Sequence, residues 1–239
     1  MFRLRIIAGP NGSGKTTLTK DLANNYHLNF GYYINADEIE MILQANGMLG
    51  FRRYRLKVNP EIFEQFYLLH PLYQACKEVQ FSIRRNTLYL EKALGNFSYF
   101  TALLADFLRH KIMESEQTFT FETVMSGKDK MGFIQHAKAN NYRIYLYYIA
   151  TDDVLINKDR VADRVYKGGH AVPADKIEKR YYGSLENLLN MIKLSNRAYL
   201  FDNSGETHRL VAEITEGKEI NFDPAFVPHW FEEYVLNAL

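Results

Sequence analysis

The chain has 239 residues, of which 47% are hydrophobic and 24% charged, and its formal net charge is +1. This composition argues against disorder, and the balance of 29 basic against 28 acidic residues argues against a protein whose main task is to neutralise a nucleic-acid backbone. A single cysteine, Cys76, cannot form an internal disulfide or a cysteine metal cluster, and it reads as a buried thiol in a reducing compartment.

The first residues, MFRLRIIAGPNG, pass from a short apolar stretch straight into a glycine loop, without the apolar core of a signal peptide. No apolar run approaches the roughly 20 residues that span a bilayer, so a cytoplasmic protein is expected. Leu4 to Ala8 reads as a strand and Lys15 to about Asn24 as a helix, with the glycine loop between them. A second strand at about Tyr32 to Asn35 runs into Ala36, Asp37 and Glu38, acidic residues suited to the first turn of a helix. From Pro60 to Glu116 the apolar spacing is helical, as in Phe97, Phe100, Leu103, Leu104, Phe107 and Leu108, which predicts a helical insertion at about 47–117. Strand patterns resume at Phe119 to Val124, Tyr142 to Ala150 and Ala198 to Phe201. A terminal hairpin follows at His208 to Ile214 and Glu219 to Phe222, and then a last helix from Val227 to Leu239. Alternating strands and helices predict a single α/β domain over 1–239, with three layers, a mostly parallel central sheet and ligands at the carboxyl ends of its strands.

Gly9-Pro10-Asn11-Gly12-Ser13-Gly14-Lys15-Thr16 matches G-x-x-x-x-G-K-[ST] in its confirming context between strand and helix. Glycines let successive N–H groups face phosphate oxygens while the helix start adds partial positive charge. Lys15 would reach the outer phosphates, the Thr16 hydroxyl would ligate Mg²⁺, and Thr17 continues the cradle. A P-loop of this kind predicts ATP or GTP but leaves the acceptor open.

Asp37, after the second strand, either accepts the proton of an attacking hydroxyl or caps the following helix. Glu122 interrupts the apolar run of its strand. With Thr123 it either binds acceptor hydroxyls, or a magnesium water, or forms a structural ion pair. Arg160 and Arg164 share a helix face and could form a closing lid at about 155–182, or a solvated charged face with Asp159 and Asp163. Arg180 is either a further phosphate or substrate candidate or a helix-surface charge. Gly168 and Gly169 suit a hinge or lid turn, with His170 in a turn hydrogen bond, and Asp202 to Gly205 suit either a plain strand-end turn or one that flanks the adenine.

These stretches together resemble the zeta-toxin family of P-loop kinases: AGPNGSGKTTL at 8–18, NADEI at 35–39, FETVMSG at 121–127, RVADRVYKGGHAVP at 160–173, KRYYGSL at 179–185 and FDNSG at 201–205. The resemblance implies a zeta-like fold and ATP- or GTP-dependent phosphorylation of a small metabolite, typically a sugar nucleotide such as UDP-N-acetylglucosamine. It matches Asp37 to the base and Arg160, Arg164 or Arg180 to the lid arginines, and it brings in an antitoxin as a protein partner. A kinase of nucleosides or nucleic-acid ends and a nucleotide-dependent switch are the other readings. No LSGGQ-like signature is present, and Asn203 follows Asp202 where a hydrolytic glutamate is expected, which argues against a transporter ATPase.

Overall fold

The computed structural model describes residues 1–168 and 172–238, and the chain divides into two compact units, Met1–Phe30 with Glu122–Leu239, and Gly31–Phe121. In chain order the first unit opens with β1 (Arg3–Ala8) and α1 (Lys15–Asn24). The second unit holds β2 (Tyr32–Ile34), α2 (Ala36–Asn46), β3 (Met48–Gly50), a 3-10 turn at Phe51–Tyr54, α3 (Pro60–Leu69), α4 (Tyr73–Cys76), β4 (Gln80–Arg84), β5 (Thr87–Lys92) and α5 (Phe97–Glu114). Strand β6 (Phe119–Thr123) leads back into the first unit, which continues with α6 (Asp129–Ala139), β7 (Arg143–Ala150), α7 (Val154–Tyr166), α8 (Ala174–Glu186) and α9 (Leu188–Leu194). It ends with β8 (Arg197–Asp202), β9 (Arg209–Thr215), β10 (Glu219–Phe222), α10 (His229–Tyr234) and a 3-10 turn at Leu236–Ala238.

In the first unit β1 pairs in parallel with β7, Ile6 opposite Leu146, and β7 pairs in parallel with β8, Leu146 opposite Ala198. Strands β9 and β10 extend this sheet antiparallel from β8. Leu4, Ile6, Ile7 and Ala8 are completely buried, as expected of a strand covered on both faces. One face packs on α1, where Ile7, Tyr147 and Ile149 meet Leu18 and Leu22. The neighbouring residue Tyr148 points to the other face by strand alternation. Its hydroxyl meets Ser184 Oγ of α8 at 3.1 Å, and its ring lies 5.9 Å from Trp230 of α10. Helices on both faces give the three-layer α/β architecture expected of the sequence. The carboxyl ends of β1, β7 and β8 feed the loops that carry Gly9–Gly14, Thr151–Asp153 and Asn203–Gly205.

The second unit is built around aromatic packing. Phe63 of α3 lies edge-on to Phe107 of α5 at 4.9 Å and to Phe81 of β4 at 5.4 Å, and Tyr67 meets Tyr73 and Phe81 at 5.1 Å each. Strands β2 and β6 pair in parallel, with Ile34 opposite Phe121. Cys76 is buried as expected. Its thiol donates to the Leu72 carbonyl at 3.2 Å, and burial pushes its pKa up.

The segment expected to be helical also contains a sheet: β3, β5 and β4 form three antiparallel strands. The alternation Phe81, Ile83, then Leu88, Leu90 is the strand signal. The turn between them escapes notice because Arg85 and Asn86, with φ of 48° and 62°, take the left-handed pair that Asn-Gly usually supplies. The unit also begins at Gly31, so the expected insertion at about 47–117 falls within it. The last helix is shorter than expected, because Pro228 precedes its first turn and Val235 leaves helical geometry.

Candidate functional site: a phosphate loop braced by two asparagines

The loop after β1 has the geometry its sequence requires. Gly9, Gly12 and Gly14 all have positive φ, 147°, 78° and 102°. Close approach adds a second constraint at all three: a Cβ at Gly9 would stand 2.1 Å from the Ile149 carbonyl oxygen, one at Gly12 2.5 Å from the Asn157 carbonyl oxygen, and one at Gly14 2.3 Å from Asn203 Nδ2. Only glycine satisfies both demands. The first bond of α1 runs from the Leu18 N–H to the Gly14 carbonyl at 3.0 Å, so the amides before Leu18 form the open, electropositive end of the helix.

Lys15 folds back over the loop, donating to the carbonyls of Gly9 at 2.8 Å and Pro10 at 2.9 Å. Its ammonium thus lies on the inner side of the loop, where outer phosphates bind in proteins of this class. Ser13 Oγ is buried without a hydrogen-bond partner, an orphaned donor that fits an anion acceptor. Thr16 and Thr17 are exposed in the first turn. Among the described residues no group of three or more His, Cys, Asp or Glu is poised to hold a metal ion.

Two asparagines outside the loop hold its backbone. Asn157, fully buried on the inner face of α7 with Val161, donates from Nδ2 to the Asn11 carbonyl at 2.6 Å. Its Oδ1 accepts from the Thr151 hydroxyl, and the Thr151 carbonyl in turn accepts the Tyr181 hydroxyl at 2.6 Å. Burial and then the nearby Asp152 push the Tyr181 pKa up, which keeps that hydroxyl a donor. Asn203 donates from Nδ2 to the Ser13 carbonyl at 2.8 Å, while its own N–H is held by the Ala150 carbonyl at 2.8 Å.

Of the expected arginines, Arg160 donates to the carbonyls of Asn203 at 2.8 Å and Gly205 at 3.2 Å, which ties α7 to the FDNSG turn. Arg180 of α8 reaches Asn11 Oδ1 at 3.4 Å, so it stands at the loop. Arg164 is exposed near the end of α7. Gly169 and His170 of the expected hinge lie outside the described residues.

Glu122 and Thr123 close β6 and are half-buried. Thr123 Oγ1 accepts from the Met125 N–H at 3.0 Å, and Met125 is buried with a left-handed φ of 61°. The turn is held from the junction between α8 and α9, where Asn187 donates to the Met125 carbonyl at 3.1 Å. Asp37 is exposed in the first turn of α2. Asn35 is the cap of that helix, its Oδ1 accepting from the Asp37 N–H at 2.9 Å, so the Asp37 carboxylate is not the capping group.

Asp202 is committed to the fold: its carboxylate accepts from the Ser204 N–H at 2.9 Å, the Ser204 hydroxyl at 2.8 Å and Trp230 Nε1 at 2.9 Å. It serves the strand-end turn. Asn157 was missed in the sequence because it falls in a charged stretch. The available signal was an asparagine four residues before Val161, on the apolar stripe of an amphipathic helix.

Strand, glycine loop, lysine and helix within a mostly parallel sheet define a P-loop protein of α/β class. The zeta toxin family model matches residues 64–209, well over half of the chain, and the protein belongs to the zeta toxin family. An uncharacterized protein of Haemophilus influenzae is 32% identical over 74 residues, a match covering 31% of this chain and 53% of that one, so the chain spans about half the length of the curated relative it matches. Among solved structures, the AvrRxo1-ORF1:-ORF2 complex with ATP superposes with a TM-score of 0.54 at 16% identity, over 94% of this chain and 61% of that one. A structure from the PezAT chromosomal toxin-antitoxin system of Streptococcus pneumoniae gives a TM-score of 0.55 at 15% identity, over 99% and 79%. At these identities the likeness defines the fold. Among the described residues no helix is long and apolar enough to cross a membrane.

Proposed function

We propose that the protein is a small-molecule kinase that transfers the γ-phosphate of ATP or GTP to a hydroxyl of a small metabolite, a sugar nucleotide resembling UDP-N-acetylglucosamine. The observation that carries this reading is the loop at 9–16, with its three positive-φ glycines and the inward-folded Lys15. Membership of the zeta toxin family supports the same chemistry.

In this reading the amides of the loop hold the β- and γ-phosphates, and Lys15 exchanges its carbonyl partners for phosphate oxygens. The Thr16 hydroxyl would hold magnesium, which would supply neutralisation of phosphate charge. The acceptor hydroxyl forms a bond to the γ-phosphorus while the bond to the β-phosphate bridge breaks. The released proton passes to the Asp37 carboxylate and the nucleoside diphosphate leaves. Arg180 and, after release from their resting partners, Arg160 and Arg164 neutralise charge developing on the transferred group. Glu122 and Thr123 receive acceptor hydroxyls at the end of β6. An antitoxin as regulatory partner belongs to the same proposal.

The test is mass spectrometry of a metabolite extract incubated with magnesium, ATP or GTP, and either the wild-type protein or Asp37→Ala. A phosphate-mass gain on a sugar nucleotide with the wild type alone is the expected result. A gain on a nucleoside or an oligonucleotide end replaces the acceptor class, and no gain on any metabolite sinks the kinase reading in favour of a nucleotide-dependent switch.

A further inference from the structure

The two asparagine contacts fall on carbonyls that share peptide planes with cradle amides. In a trans peptide the carbonyl and the following N–H point in opposite directions. The Asn11 carbonyl is drawn out of the loop to Asn157 Nδ2 at 2.6 Å, so the Gly12 N–H faces inward. The Ser13 carbonyl is drawn to Asn203 Nδ2 at 2.8 Å, so the Gly14 N–H faces inward as well. We propose that Asn157 and Asn203 are positioning residues that aim the Gly12 and Gly14 amides at the phosphate chain and thereby set affinity for the triphosphate. The inference rests on the phosphate-binding reading of the loop.

Each asparagine is fixed independently of the loop. Asn157 is oriented by the Thr151 hydroxyl at its Oδ1, and Thr151 by Tyr181. Asn203 is fixed through its own backbone to Ala150 at the end of β7, and Arg160 grips its carbonyl. Rigid strand ends and a buried helix face thus hold the donors, and the glycines admit them at distances a side chain would forbid. Preorganised amides of this kind need no reorientation when an anion arrives, which is where their binding advantage arises. The role also explains the asparagine of the FDNSG stretch, whose donor is used on the loop.

A hydrogen bond that serves only the fold lowers the melting temperature and leaves the affinity of the folded molecules unchanged. The test therefore uses the full chain as wild type, Asn157→Leu and Asn203→Leu, titrated calorimetrically with inorganic tripolyphosphate and with ATP. Titrations are run well below each variant's melting temperature, and circular dichroism sets the folded fraction. The expected result is affinity for both ligands weakened about ten-fold in each variant, on the scale of one lost hydrogen bond that orders a charged contact. Wild-type affinity for tripolyphosphate in the folded variants overturns the proposal. A wild-type chain that binds neither ligand overturns the phosphate-loop reading itself, a separate outcome. Where Leu at position 203 prevents folding, Asn203→Ala removes the donor without bulk and is read in the same way.

Discussion

The phosphate loop of the first unit and the core of the second are each fixed by different physics. Around the phosphate loop the contacts that fix geometry are polar and directional: Asn157, Asn203, Arg160 and Lys15 all bond to backbone carbonyls. In the second unit, Phe63, Tyr67, Phe81, Phe100 and Phe107 interlock through their rings. Apolar burial is strong but tolerant of small shifts, whereas a hydrogen bond specifies an atom and a direction. A site that must present amides to an anion needs the second kind, and the aromatic core of the second unit relies on the first.

Substitutions in each region sharpen this contrast. Lys15→Ala should lower phosphotransfer about a thousand-fold, in line with removing a positioned charge from a transition-state site, while the melting temperature stays close to wild type. Single-turnover rates with saturating nucleotide check the first part and calorimetry the second. Phe63→Ala reverses the pattern. It should cost ~3–5 kcal/mol of stability, as for other buried phenylalanines, with denaturant titration followed by ring absorbance as the measurement. A Phe63→Ala protein as stable as the wild type would break the view that the aromatic cluster carries this unit.

Gly183→Ala probes the seam between α8 and the turn after β6. Alanine gains up to ~1 kcal/mol of helix propensity, but its Cβ would stand 2.9 Å from the Ser126 carbonyl oxygen, an overpacking cost of ~1–3 kcal/mol. The clash wins, and a net loss of ~1 kcal/mol is expected in thermal unfolding.

An alkaline effect concerns tyrosines of both units. Burial pushes Tyr54 and Tyr67 of the second unit and Tyr147 of the first up to about 12. In the unfolded chain these hydroxyls ionise near pH ~10. The neutral form is favoured in the fold, so this contribution is fully present below about pH 10 and is lost as pH rises towards 12. Stability measured by denaturant titration between pH 8 and pH 12 should be level at first and then fall. A rise above pH 10 would reverse the sign of the argument.

Much of the site was legible because its chemistry is local. The loop from Gly9 to Thr16 and the helix Lys15–Asn24 follow from a contiguous motif, and the strands β7 and β8 follow from unbroken apolar runs. The antiparallel sheet at β3–β5 was hidden because its turn uses Arg85 and Asn86 in place of a glycine pair. Asp37 was legible as a first-turn carboxylate, yet only the contact from its N–H to Asn35 removed the capping role from it.

The sequence by itself determined the phosphate loop, the alternation of strands and helices, and the family resemblance, because each depends on neighbours close along the chain. Tertiary structure alone decided that Asn157 and Asn203, distant in sequence, would hold the carbonyls of Asn11 and Ser13. It also decided that Arg160 would grip a turn and that Asp202 would serve Trp230. Those choices depend on which carbonyl or donor the fold brings within 3 Å of a side chain, a distance that periodicity and spacing do not encode.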